Sequence, residues 1–302
     1  MRGRPAGGGA RMTPIDASWR AAHPLPAIGD GLDKNARGKV LLVGGSAFVP
    51  GALRLTGEAA LRAGAGKVQL ATIDTAAIAL GIAFPEAAVI ALPADKHGEI
   101  AAEAHKRIEP RLDSCDTLVI GPGMMPRPHT AMLVKALLAR HGPDASTLLD
   151  AGALTAMHGE EDAIRSLAGQ IVMTPHPGEL AALTGFDKSR IERDPEAAVC
   201  VAAARFGAVI ALKSTETLIA DGAGGLLRYA GGSPGLGTAG SGDVLAGIIA
   251  GLLARGATPL VATAWGVWLH GEAGALLSRK MGSLGFLARD LAAFVPALMD
   301  QG

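Results

Sequence analysis

The sequence is poor in aromatic residues, nearly free of cysteine and without an excess of either charge. Only 3% of its 302 residues are aromatic (six Phe, three Trp, one Tyr), and 28 Lys+Arg balance 28 Asp+Glu. A nucleic-acid surface needs a basic excess for phosphates and aromatic platforms for bases, so that class is excluded. Two cysteines, Cys115 and Cys200, cannot build a disulfide framework and form no CxxC pair. Both read as small buried hydrophobes. The longest apolar run, 244–254, falls far short of the ~20 residues a bilayer requires, so no membrane partner is expected. The opening MRGRPAGGGARM is basic and Gly-rich without an apolar core, unlike a secretory leader. A cytoplasmic location is the expectation.

What the chain does have is 49% apolar residues and 42 glycines. That much apolar surface offsets the entropy of ordering, which excludes disorder. Residues 1 to about 37 carry Gly, Pro and scattered charge without a period and read as a flexible arm. From 38 to 302, short apolar runs alternate with helical patterns. Strands are expected at 40–43, 68–73, 88–92, 117–120, 147–150, 171–173 and 209–212. Each is almost wholly apolar instead of alternating, as in a parallel sheet covered on both faces. Helices are expected at 52–63, 129–140, 178–183, 196–206, 244–254, 259–278 and 289–299, and a hairpin at 217–229. The fold class is α/β, one domain with a mostly parallel central sheet and helices on both faces.

Open parallel sheets bind ligands at the carboxyl ends of their strands. Those ends carry GGS (44–46), GPG (121–123), DAG (150–152), TPHPGE (174–179) and KSTET (213–217). The strongest segment is GGSPGLGTAGSGD (231–243), which runs directly into a helix. Its glycines let a ligand approach the backbone, and the helix's first amides face an anion. Asp243 stands at that entrance. It is either a helix cap or, beside a phosphate, a proton acceptor or the neighbour of a bridging cation; the glycine density favours the second. GLGTAG (235–240) formally fits a dinucleotide fingerprint, but it lies late in the sheet and Leu260 stands where an acid should meet ribose. No Walker A loop is present. His176, between two prolines, is presented from a stiff segment, and Glu179 is either a dipole partner of the next helix or a site residue. The spacing of His158, His270 and Glu272 indicates no zinc site.

Together these motifs resemble the ADP-dependent NAD(P)H-hydrate dehydratase family, a branch of the ribokinase-like superfamily. The likeness covers roughly 37–300 and rests on GKVLLVGGS (38–46), GA (51–52) with ALRAGAG (60–66), Pro85-Glu86, VIGPG (119–123), Asp150-Ala151, TPHPGE (174–179), KSTET (213–217) and TAGSGDVL (238–245), in the family's order. The Gly-Ser-Gly-Asp element is common to many ribokinase-like kinases, whereas TPHPGE with an early GGS is more specific. The resemblance implies a metabolite-repair lyase: the S epimer of hydrated NADH or NADPH (NAD(P)HX) is dehydrated at the expense of ADP, giving AMP and phosphate. It implies Asp243 as the catalytic residue, with Ala52, Gly123 and His176 also touching the hydrated nicotinamide nucleotide. Lys213, Ser214, Thr215, Glu216, Thr217, Gly240, Ser241 and Gly242 match nucleotide-binding positions. Mg2+, ADP (or ATP) as co-substrate, and a homo-oligomer such as a tetramer are implied as well. Three places depart from the family pattern: Ser214 follows Lys213 where Gly is usual, Gly152 replaces a second Asp, and Met124-Met125 replace Leu-Gly. The alternatives are a small-molecule kinase of the same fold, of hydroxyethylthiazole or hydroxymethylpyrimidine type, and a nucleotide-binding homologue without turnover.

Overall fold

A computed structural model describes residues 12–27, 37–142 and 144–301. Ten strands form one sheet: β1 (Thr13–Pro14), β2 (Lys39–Val43), β3 (Lys67–Ile73), β4 (Ala88–Leu92), β5 (Thr117–Ile120), β6 (Ser146–Leu149), β7 (Ile171–Met173), β8 (Val209–Leu212), β9 (Thr217–Ala220) and β10 (Leu226–Tyr229). Their order is β1-β10-β9-β8-β7-β6-β5-β2-β3-β4. From β8 through β4 every neighbouring pair is parallel, and β9 is antiparallel to both β8 and β10. The expected α/β layering is therefore present. Alternation along each strand feeds two cores: Val40 and Leu42 enter one, Leu41 and Val43 the other.

The helix Ser241–Ala254 is apolar on all sides, and twelve of its residues are buried. It packs against the helices Ala52–Arg62 and Pro259–Met281. Close approach to the first depends on glycine: a Cβ on Gly247 would stand 2.2 Å from the Thr56 carbonyl oxygen, and one on Gly251 2.4 Å from that of Ala60.

Two expectations need correction. The first 37 residues are not simply an arm. Thr13 pairs with Leu227, Trp19 of the helix Ala17–Ala22 is buried, and the Trp265 indole N–H donates to the His23 carbonyl over 2.8 Å. The Arg20 guanidinium lies 3.8 Å over the Trp268 ring, so contacts with distant residues hold a segment whose own composition looks unstructured. Residues 1–11 and 28–36 lie outside the described residues. The single helix expected at 289–299 is instead Ala288–Leu291, a 3-10 turn at Ala292–Phe294, and Val295–Met299. Pro296, which cannot donate a backbone hydrogen bond, lies in the first turn of the last piece.

Candidate active site

Register brings the decorated strand ends together. Ile120 pairs with Leu149, Leu149 with Met173 and Met173 with Ile210, so the residues just past β6, β7 and β8 share one edge. Lys213 is fixed there by its N–H, which donates to the Pro175 carbonyl over 2.8 Å. Its Nζ lies 3.0 Å from Asp150 Oδ1 and 3.8 Å from Glu179 Oε2. Asp150 is buried, and its Oδ1 also accepts from the Thr174 hydroxyl over 2.7 Å. The next residue, Ala151, has φ +48°, a left-handed conformation unusual without glycine, at the turn from β6 into the following helix.

Over this group runs the glycine-rich entrance to the helix Ser241–Ala254. Gly240 caps the helix with φ +87°, which glycine adopts without strain. Ser241 N–H bonds the Thr238 carbonyl and Val244 N–H that of Gly240. The intervening amides of Gly242 and Asp243, in the first turn, have no intrahelical acceptor. A Cβ on Gly242 would lie 3.5 Å from Lys213 Nζ and 3.9 Å from Asp150 Oδ2, so the backbone and the ion pair are adjacent. Burial first, and the Asp150 charge second, push the Asp243 carboxyl from its ordinary 3.8 up to about 7, with Lys213 offsetting part of the rise. Burial opposes the Lys213 charge, but Asp150 and Glu179 outweigh it and its pKa is raised.

These groups border a cavity of about 910 Å³. Of the residues singled out in the sequence, His176, Lys213, Ser214, Thr215, Thr217, Gly240, Ser241, Gly242 and Asp243 line it. Glu216 does not. Residues 214–216 form a bend that leaves Ser214 and Thr215 against the cavity, followed by Thr217, while Glu216 forms an ion pair with Arg228. His176 has a second role: its Nδ1 accepts from the N–H groups of Gly178 and Glu179, and Glu179 Oε2 accepts from His176 N–H, a reciprocal helix cap. Both readings of Glu179 thus hold, since it caps the helix and faces Lys213.

Ala52 and Gly123 form a separate cluster at the ends of β2 and β5. A Cβ on Gly123 would meet Ala52 Cβ and the Val49 carbonyl oxygen, each at 2.8 Å, and neither residue lines the large cavity. Phe48 is 87% exposed, two residues from the start of the adjoining Pro50-Gly51 turn, and Met125 is 43% exposed two residues beyond Gly123. Two of the family departures meet physically: a Cβ on Gly152 would stand 2.3 Å from the Met124 carbonyl oxygen and 2.7 Å from the Met125 carbonyl carbon. Gly152 and the Met124-Met125 backbone are therefore a matched pair. Sequence reasoning missed Tyr229, whose hydroxyl is 3.0 Å from Glu272 Oε1, and His270, against Ser241. Both His270 and Tyr229 line the cavity, and no local motif marks them.

The sequence model for NAD(P)H-hydrate dehydratase matches residues 40–297. The chain belongs to the NAD(P)H-hydrate dehydratase family. It is 44% identical to an ADP-dependent (S)-NAD(P)H-hydrate dehydratase of Xanthomonas campestris, over 97% of this chain and 98% of that protein. A bifunctional NAD(P)H-hydrate repair enzyme of Moorella thermoacetica is 39% identical over 94% of this chain, which spans 53% of that longer protein. Among solved structures, a ribokinase-like superfamily protein of Enterococcus faecalis superposes with a TM-score of 0.82, 27% identity and 96% coverage of each chain. The ADP/ATP-dependent NAD(P)H-hydrate dehydratase of Bacillus subtilis, co-crystallized with ATP/Mg2+, gives 0.81 and 26% identity over 96% of this chain and 98% of that one. The fold of this family member is ribokinase-like.

Proposed function

We propose that this family member dehydrates the S epimer of NAD(P)HX at the expense of ADP, giving NAD(P)H, AMP and phosphate. The observation that carries the proposal is the Asp243 carboxyl, at the glycine-lined start of a buried helix, in a cavity shared with Lys213. The name of the Xanthomonas relative supports the choice of reaction over a stable phosphorylation of an alcohol.

In the hydrated cofactor the hydroxyl sits on the ring carbon next to N1. The nitrogen lone pair is drawn towards the ring carboxamide, so hydroxide leaves poorly. Phosphoryl transfer from ADP to the hydroxyl oxygen releases AMP and creates a good leaving group. The Asp243 carboxylate accepts the hydroxyl proton, and a pKa near 7 suits a base working near neutrality. The free Gly242 and Asp243 amides and the Lys213 ammonium balance charge on the moving phosphoryl group. The C–O bond then breaks, phosphate departs with the former hydroxyl oxygen, and loss of the neighbouring ring proton restores the double bond.

Lys213, Ser214, Thr215 and Thr217, with Gly240, Ser241 and Gly242, hold the nucleotide, while Glu216, outside the cavity lining, is paired with Arg228. Ala52, Gly123 and His176 hold the hydrated nicotinamide nucleotide. Among the described residues no group of three His, Cys, Asp or Glu side chains offers a metal cage, and Asp150 and Glu179 already face Lys213. Asp150, Glu179 and Asp243 are the carboxylates that line the cavity, and this donor set would suit an Mg2+ held largely by phosphates and water, which would supply neutralisation of phosphate charge. A homo-oligomer, specifically a tetramer, completes the proposal.

The test is incubation with hydrated NADH and ADP. Recovery of reduced-nicotinamide absorbance with one AMP and one phosphate per turnover is expected. Phosphate retained on an added alcohol would instead mark a kinase, and ADP binding without either product a non-catalytic binder.

A further inference from the structure

Ser241 opens the helix at the cavity, and the side chain that meets its hydroxyl comes from 29 residues further on. His270 Nε2 lies 3.0 Å from Ser241 Oγ and 3.1 Å from the Ser241 carbonyl oxygen. A carbonyl only accepts, so Nε2 carries the ring proton and shares it between the two oxygens. Burial lowers the His270 pKa to about 4, which keeps the imidazole neutral and leaves Nδ1 bare. With an N–H facing its oxygen, the Ser241 hydroxyl has its own proton to donate elsewhere. Serine in a helix ordinarily turns that proton back onto a backbone carbonyl of the preceding turn. Here the hydroxyl oxygen is held against His270, at the wall where Gly240, Gly242 and Asp243 also meet the cavity.

We infer that His270 is a positioning residue for the nucleotide: it holds the Ser241 hydroxyl so that the hydroxyl donates a hydrogen bond to a phosphoryl oxygen of a bound nucleoside diphosphate. This rests on the nucleotide reading of the cavity, and adds to it the group that orients one of its donors. The imidazole itself touches no phosphate; it acts through Ser241.

A double-mutant cycle on ADP binding, read by calorimetry with Mg2+ and without hydrated cofactor, separates this role from general support of the helix. Ser241→Ala removes the donor and should weaken ADP binding about tenfold, the scale of one hydrogen bond to a charged group. His270→Phe keeps a flat aromatic ring but removes the N–H, and should weaken it by a similar factor. The double variant should be no weaker than Ser241→Ala alone, because His270 then has no hydroxyl to orient. His270→Gln, which retains an N–H donor, should recover part of the loss. Losses that multiply, or ADP affinity unchanged in a folded His270→Phe protein, would overturn the inference. So would the ring of the parent protein itself: 15N shifts of labelled histidine must show Nε2 protonated and Nδ1 bare from pH 6 to 8, and the opposite tautomer contradicts the arrangement even where the Phe variant does not fold. Failure of the parent to bind ADP would remove the nucleotide reading and this inference together, whereas ADP binding without dehydration would remove only the proposed reaction.

Discussion

Replacing Asp243 with Asn should stabilise the protein at alkaline pH while destroying its activity. The unfolded chain gives up the Asp243 proton near pH 3.8, and the folded chain holds it to about 7. Between those values the folded state binds more protons than the unfolded one, so stability falls as pH rises through the window and levels off above it. Each pH unit of that displacement is worth about 1.4 kcal/mol, so the whole corresponds to about 4 kcal/mol. Contact of the carboxyl group with cavity water screens the charge, and we take half, about 2 kcal/mol. Asn has the same shape and no charge to desolvate, and so escapes the penalty. With an unfolding entropy of about 2.1 cal/mol/K per residue, 2 kcal/mol becomes a gain of about 3 °C in Tm. Thermal unfolding of both proteins at pH 4 and pH 8 is the assay. The Asn variant should gain about 3 °C at pH 8 and nothing at pH 4, while turnover falls at least ~100-fold. A gain of the same size at both pH values, or a loss at pH 8, would refute the claim that Asp243 carries a costly buried charge.

Three further outcomes follow from contacts elsewhere. Lys213→Met removes the charge that offsets the burial of Asp243, so the Asp243 pKa must rise further; the acidic limb of the kcat/KM–pH profile should move to higher pH and ADP affinity should drop. Gly247→Ala drives a methyl group towards the Thr56 carbonyl oxygen, at 2.2 Å in the unrelaxed structure, and should cost about 1–3 kcal/mol in urea unfolding, as overpacking does. Glu216→Ala breaks an exposed pair with Arg228; calorimetry should find ADP affinity within about twofold of the parent, and thermal unfolding should show stability nearly unchanged.

Much of the frame was legible because burial on both faces writes itself as continuous apolar runs. The stretch 209–212 contains nothing else and 117–120 only Thr117 besides, and both are strands with all four residues buried. The hairpin was legible because Asp221 Oδ1 accepts from the N–H groups of Ala223 and Gly225, local chemistry that a turn sequence announces. Helix Asp74–Ala83 was not expected. It is almost uniformly apolar, with Ile78 and Ile82 largely exposed, so no period separates it from its surroundings. The β1 strand has two residues and exists only because Thr13 and Pro14 meet Leu227 and Arg228.

The site divides in the same way. Gly240, Gly242 and Asp243 were legible as a helix start because a left-handed N-cap calls for glycine and an acidic residue favours the first turn. Lys213 and Asp150 were visible as polar strand ends, but their pairing, 63 residues apart, depends on β6, β7 and β8 lying side by side. His270 sits inside a long apolar helix, where a lone histidine reads as a core residue; only the packing of that helix against Ser241–Ala254 gives it a partner.

The central claim is that the hydroxyl of the hydrated cofactor attacks a phosphoryl group while Asp243 takes its proton. Hydrated NADH carrying 18O in that hydroxyl, incubated with ADP in unlabelled water, tests it directly. The label should appear in inorganic phosphate, one atom per phosphate released. Label recovered in water, with phosphate unlabelled, would contradict the claim.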